Sequence, residues 1–255
     1  MLGYLQMNIG IYQSAASLSA LERWQDAVSQ NIGASQVPGY RQRTVTFSAQ
    51  DNGQFNLGSS AQAGSESAQP ASFPTATGGI SFKAGETQPT GRPFDMAIQS
   101  SGFFKVQMPD GSTAYTRDGS FSESADGTLV NSSGYPVLSE GGAPIVLSTT
   151  GGTFTVTQDG VVSQGDTQLG RLSVTSFSNT AGLTPISGGM LVAGPNAGAT
   201  ATEHPGVLQG YIESSNVSPL FEMVNLVQVS RVYEANQRVI TNADQQTQKT
   251  MDALG

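Results

Sequence analysis

His204 is the one histidine of the chain, set between Glu203 and Pro205 in a loop-forming stretch. General-base, nucleophile-relay and zinc chemistry all draw on histidine, but no Ser–His–Asp or zinc set can be assembled around this one. It reads as a solvated loop side chain. Asp110, Asp118 and Asp126 recur every eight residues. Carboxylates held at a fixed separation are the machinery of glycoside hydrolysis or of a calcium site. Each of these three, however, precedes a glycine, and Asp-Gly readily takes the positive φ angles of a tight hairpin turn. The turn accounts for both residues where catalysis accounts for one. Gly78-Gly79 and Gly151-Gly152 lack the lysine and the strand–loop–helix setting of a phosphate-binding loop. Arg117 beside Asp118 reads as an internal pair of a β domain. The sequence therefore offers no catalytic group, no metal set and no cofactor site.

Composition narrows the classes further. The chain has 255 residues, with 11 Lys+Arg against 19 Asp+Glu, a net charge of −8 and only 12% charged residues. With no basic cluster to neutralise phosphates, nucleic acid and anionic membranes are poor partners. Cysteine is absent, which removes disulfides and thiol chemistry and suits a protein that crosses compartments unfolded. Arg23 is the first basic residue, so no charged region precedes a signal-type apolar run. No apolar run approaches the ~18 residues that would span a bilayer. The expectation is no cleaved signal and no direct membrane insertion. The 31 glycines, with abundant Ser and Thr, point to a middle of turns and short strands.

Two helical patterns flank that middle. From Leu5 to Ile32 the apolar residues fall on neighbouring stripes, Ile11, Ala15, Leu18 and Ile32 on one and Leu21, Trp24 and Val28 on the other. Asn31-Ile32-Gly33 ends the pattern, with Gly33 expected as its C-terminal cap. Ser215-Asn216-Val217-Ser218-Pro219 opens the second helix, Ser218 placed to cap, Pro219 at the first helical position and Glu222 in the first turn. Its stripes are Leu226, Val229, Tyr233 and Ile240, and beside them Phe221, Val224, Val232, Ala235, Val239 and Ala243. That face is too wide for a narrow two-stranded seam, so it requires a partner. Between the helices, Tyr40–Phe47 alternates like a strand, and residues 48–79 carry little to bury and read as an extended or poorly ordered connector. From Ile80 the signals are β, with Phe104, Val106 and Met108 on one face of a strand. A loop-rich stretch covers 188–206. The predicted fold class is α+β: long N- and C-terminal helices packed as a coiled-coil-like axial domain around an inserted all-β domain of short antiparallel strands. The predicted division is 1–39 N-terminal axial helix and turn, 40–84 connector, partly extended or disordered, 85–212 β domain and 213–255 C-terminal axial helix.

Three stretches resemble the axial proteins of the bacterial flagellum, specifically the rod proteins (proximal or distal type) of the hook–basal body family. They are Thr90–Ile98 with Gly102-Phe103-Phe104; Tyr115–Phe121 followed by Gly134-Tyr135-Pro136-Val137; and Gln209–Val217 continuing through Glu222-Met223-Val224 and Arg231–Asn236. At the N-terminus Asn31, Gly39, Tyr40 and Arg41 fit the family pattern, while Gln30, Gly33, Ala34 and Val37 depart from it. The resemblance implies a structural subunit of the basal-body rod, a helical tube spanning the periplasm that transmits torque and conducts exported subunits. It implies as partners copies of the chain itself, other flagellar rod or hook proteins, and the flagellar type III export apparatus. The expected assembly interface is Ile11, Leu18, Leu21, Trp24, Val28, Asn31, Ile32, Asn216, Val217, Val224, Leu226, Val229, Tyr233, Asn236 and Ile240. Burying roughly ten large side chains at ~1.5–3 kcal/mol each is offset by the entropy of ordering about sixty residues, so assembly can await the growing tip. A secreted β-domain adhesin or carbohydrate-binding module, and a cell-wall glycan hydrolase, are the alternatives.

Overall fold

The structure, a computed structural model, describes residues 2–51, 72–148 and 151–252. They divide into two compact units. The first draws on Met1–Ile32, Arg43–Ile80 and Pro219–Gly255, the second on Gly33–Gln42 and Ser81–Ser218.

In the first unit, helix α1 (Leu2–Gly33) is followed by strands β1 (Arg43–Asp51) and β2 (Ser72–Ile80). The two strands pair antiparallel from Arg43↔Ile80 to Asp51↔Ser72. Residues 43–47 lie in the strand that the alternation of Tyr40–Phe47 predicts, and the ladder continues through 48–51 and 72–80, where composition predicts a connector; the intervening 52–71 lie outside the described residues. The ladder is held by backbone groups, which a Ser/Thr/Gly-rich sequence supplies as well as any other. Helix α1 gives the hairpin its apolar and polar anchors. The Trp24 ring meets Phe47 edge-on at 5.6 Å, Arg23 Nη1 donates to the Ala76 carbonyl at 3.0 Å, and Asn31 both donates to the Arg43 carbonyl and accepts from its N–H. Gly33 is still helical and does not have a positive φ; the positive φ after this helix falls at Gly39.

The second unit holds β3 (Thr87–Pro89), β4 (Met96–Ile98), β5 (Phe103–Gln107), β6 (Thr113–Thr116), β7 (Ser122–Glu123) and β8 (Leu129–Val130). It continues with β9 (Phe154–Val156), β10 (Val161–Gln164), β11 (Thr167–Arg171), β12 (Val174–Phe177) and β13 (Leu183–Pro185). Strands β14 (Leu191–Ala193), β15 (Ala199–Ala201), β16 (Val207–Gln209) and β17 (Tyr211–Glu213) complete it. Six strands form one sheet in the order β13-β14-β6-β5-β12-β15, and three form another in the order β11-β10-β9. Strands β16 and β17 return to pair with β4 and β3. The period of two decides the core: Phe104 and Val106 of β5 are fully buried with Met96, Leu129, Val137, Val162 and Val207.

Two of the three Asp-Gly steps are the turns that their spacing predicts. Gly111 and Gly127 have the positive φ of a turn, 80° and 74°. Gly119 does not; a Cβ there would stand 1.6 Å from the Met96 carbonyl oxygen, so the glycine permits backbone-to-backbone contact instead.

The second helix, α2 (Pro219–Asp252), begins at Pro219 as the sequence predicts. The coiled-coil-like axial domain, however, is corrected. Among the described residues the chain is mostly short antiparallel strands, with one α-helix towards each end. A two-helix coiled coil with the predicted wide face would bury both apolar stripes of α2. Instead Phe221, Val224, Val232 and Val239 are exposed at 44–71%, and α1 places Arg23, Trp24 and Asn31 against the β1–β2 hairpin.

Candidate assembly surface

Helix α2 is apolar on two sides. One narrow stripe faces inward: Val229 is fully buried, and Leu226, Tyr233, Asn236 and Ile240 are half-buried. On the other side Leu220, Phe221, Met223, Val224, Val227, Val232 and Val239 are all exposed. A surface helix of a lone globular unit shows polar residues there. A run of large apolar side chains along a solvent-facing helix is the mark of an interaction surface.

The expected interface residues divide on this basis. Leu21, Val28, Asn31, Val217 and Val229 are buried within one copy of the chain. Leu18, Trp24, Ile32, Asn216, Leu226, Tyr233, Asn236 and Ile240 are half-buried, and Val224 is exposed. The side chain of Ile11 lies outside the described residues. The structure adds Leu220, Met223 and Val227 to the exposed face. Their residue types were visible in the sequence, but a helical wheel has no way of telling which of two apolar stripes the fold covers.

Asn216 and Val217 belong to a different feature, inside the β unit. Asn216 accepts from the Gln42 N–H at 2.7 Å and donates to the Ser81 and Lys83 carbonyls. Beside it Glu213, 2% exposed, lies between two arginines. Its Oε1 is 2.8 Å from Arg41 Nη1 and its Oε2 is 3.0 Å from Arg117 Nη1. Oε1 also accepts from the Gly85 N–H. Arg41 donates onward to the Lys83 carbonyl, and Arg117 to the Ile98 and Ser100 carbonyls. The Arg117 guanidinium sits 5.3 Å from the centre of the Phe103 ring. Gly39, at φ 66°, packs so closely on Arg117 that a Cβ would stand 2.2 Å from its carbonyl carbon. Burial lowers the pKa of Arg117 from its ordinary value to about 10, against the opposing pull of Glu213 and with help from Arg41; Arg41 is lowered for the same first reason. The predicted Arg117–Asp118 pair is not what forms. Asp118 instead accepts from the Ser120 N–H and the Ser132 hydroxyl. Charge pairs 96 and more residues apart leave no trace in local spacing.

His204 Nδ1 lies 2.9 Å from Asp159 Oδ1 on an exposed loop pair, and that contact holds the Asp159 carboxyl below its ordinary value. Among the described residues no three His, Asp or Glu side chains gather as metal ligands.

Comparison with known proteins gives these observations a context. Residues 97–164 match the flagellar hook protein FlgE/F/G D1 domain, and residues 208–253 match the C-terminal part of the flagellar basal body rod FlgEFG proteins. The chain is 30% identical to the flagellar basal-body rod protein FlgG of Bacillus subtilis, with 95% of this chain and 97% of that protein covered. It is 30% identical to the flagellar basal-body rod protein FlgF of Mesorhizobium japonicum, with 98% and 99% covered. Against FlgG of Buchnera aphidicola from Acyrthosiphon pisum identity is 34%, covering 61% of this chain and 63% of that relative's length. The chain belongs to the family of flagellar basal-body rod proteins, whose members are structural and not enzymes.

Proposed function

We propose that the chain is a rod subunit that associates with copies of itself, and with other rod or hook proteins, through the exposed face of α2. A head-to-tail contact whose rotation does not close yields a helical tube, and such a tube transmits torque and conducts exported subunits. Delivery is by the flagellar type III export apparatus without a cleaved signal. The assembled subunit stands in the periplasm-spanning rod. The half-buried expected residues of the two helices, Leu18, Trp24 and Ile32 of α1 and Leu226, Tyr233, Asn236 and Ile240 of α2, add to this surface on assembly, with Val224 and its exposed neighbours making first contact between copies.

The observation that carries this reading is the second apolar stripe of α2, which one copy leaves in water from Leu220 to Val239. Removing such side chains from water contributes ~25 cal/mol per Å² of apolar area, which is the driving force an assembly needs. The test is polymerisation of the purified chain, followed by sedimentation and electron microscopy, with Phe221→Asp/Val224→Asp beside the wild type. Filaments from the wild type and monomers of unchanged circular dichroism from the variant are expected. Filaments from both would move the interface elsewhere.

A further inference from the structure

The β unit is built from Gly33–Gln42 and Ser81–Ser218, so the chain leaves it at Gln42, Ser81 and Ser218 as well as at Gly33. Three of these exits converge on one spot. Asn216 bonds the Gln42 N–H and the Ser81 carbonyl, while the Ser81 N–H donates to the Gln42 carbonyl at 2.8 Å. Glu213 grips the same three segments: through Arg41 the first, through the Gly85 N–H the second, and its own strand carries the third. Its backbone carbonyl takes the Gly39 N–H at 2.7 Å. Through Arg117 it also reaches the sheet proper, at the carbonyls of Ile98 and Ser100.

The chemistry of this cluster is poor for stability. Two buried cations share one buried anion, and Nε of both Arg41 and Arg117 lacks a hydrogen-bond partner. A buried ion pair often does no better than a well-packed apolar core of the same volume. What charges and forked guanidinium donors supply is direction: each bond fixes an angle and a distance, where apolar side chains slide. We infer that the Arg41–Glu213–Arg117 cluster with Asn216 is a conformational lock, holding the three exits of the β unit in one rigid arrangement. The lock is a property of a single copy and stands whether or not α2 makes the contacts proposed above.

Its test is amide hydrogen exchange on the full chain, comparing the exits (Gly39, Gln42, Ser81, Gly85, Ser214) with the core strands β5 and β8. The variants are Asn216→Ala and the charge-free triple Arg41→Met/Arg117→Met/Glu213→Leu. The expected result is unchanged protection in the core, with exit amides exchanging about 100-fold faster in the triple variant and about 10-fold faster in Asn216→Ala, as for a locally opened segment. Two results overturn the lock. Exits as well protected as in the wild type would make the cluster mere filling. Core and exits loosening by the same factor would make it an ordinary part of one cooperative core. If the triple variant does not fold, Asn216→Ala decides by the same comparison.

Discussion

A carboxylate held between two arginines reacts very differently to losing its charge and to losing its whole setting. Glu213→Gln leaves Arg41 and Arg117 buried without a counter-charge, and should cost about 3–5 kcal/mol in urea unfolding. Arg117 carries its own penalty at every pH below about 10, because burial disfavours its charged form; the penalty is relieved only as pH rises from about 10 towards the ordinary arginine value. Asp159 has the opposite sign. Its lowered value makes its contribution present above 3.8 and lost as pH falls through the lowered one. In His204→Ala its carboxyl, followed by NMR, should titrate closer to 3.8; an unmoved curve would show that the contact is not made in solution. Two glycines separate strain from space. Gly111→Ala meets no neighbour but keeps a left-handed φ, costing about 1–2 kcal/mol. Gly119→Ala drives a Cβ into the Met96 carbonyl and should cost more, about 3 kcal/mol. Equal melting points for the two would contradict this reading. Asp-Gly was legible as a turn signal, but at Asp118-Gly119 the deciding neighbour is Met96, far outside the dipeptide.

At the scale of elements, α2 carries the sharpest contrast. Val229→Asp buries a carboxylate at a position with no exposure, and a loss of several kcal/mol in thermal unfolding is expected. Val224→Asp and Val232→Asp alter exposed positions and should change single-copy stability by no more than about 0.5 kcal/mol while stopping assembly and swimming. Normal motility in the Val224 and Val232 variants would show that this face is not used. The stripes themselves were readable from the 3.6-residue period. Which stripe is covered was not, because the wheel records apolarity and says nothing of neighbours. The hairpin β1–β2 shows the reverse failure. Beyond the strand-like alternation of Tyr40–Phe47 its composition suggests a connector, yet its backbone pairs for nine residues in register, and Trp24 and Arg23 of α1 supply what its own side chains lack.

For the whole molecule, hydrogen exchange on the single copy should rank the parts. Amides of β5 and β8, within the fully buried core around Phe104 and Leu129, exchange slowest, and those of α2 beyond Asn236, where most residues are exposed, exchange fastest. Equal protection throughout would mean that α2 is already complete without a partner. The sequence by itself determined the succession of helix, β region and helix, the strand faces set by the period of two, and the family, since each of these rests on local pattern or on residues near one another in the chain. Only the tertiary structure decided that the helices are not one coiled-coil domain, that residues 43–51 and 72–80 form a ladder, and that Arg41, Arg117 and Glu213 meet. Those outcomes depend on which groups, tens to hundreds of residues apart, reach the same few ångströms, and no local periodicity encodes that distance.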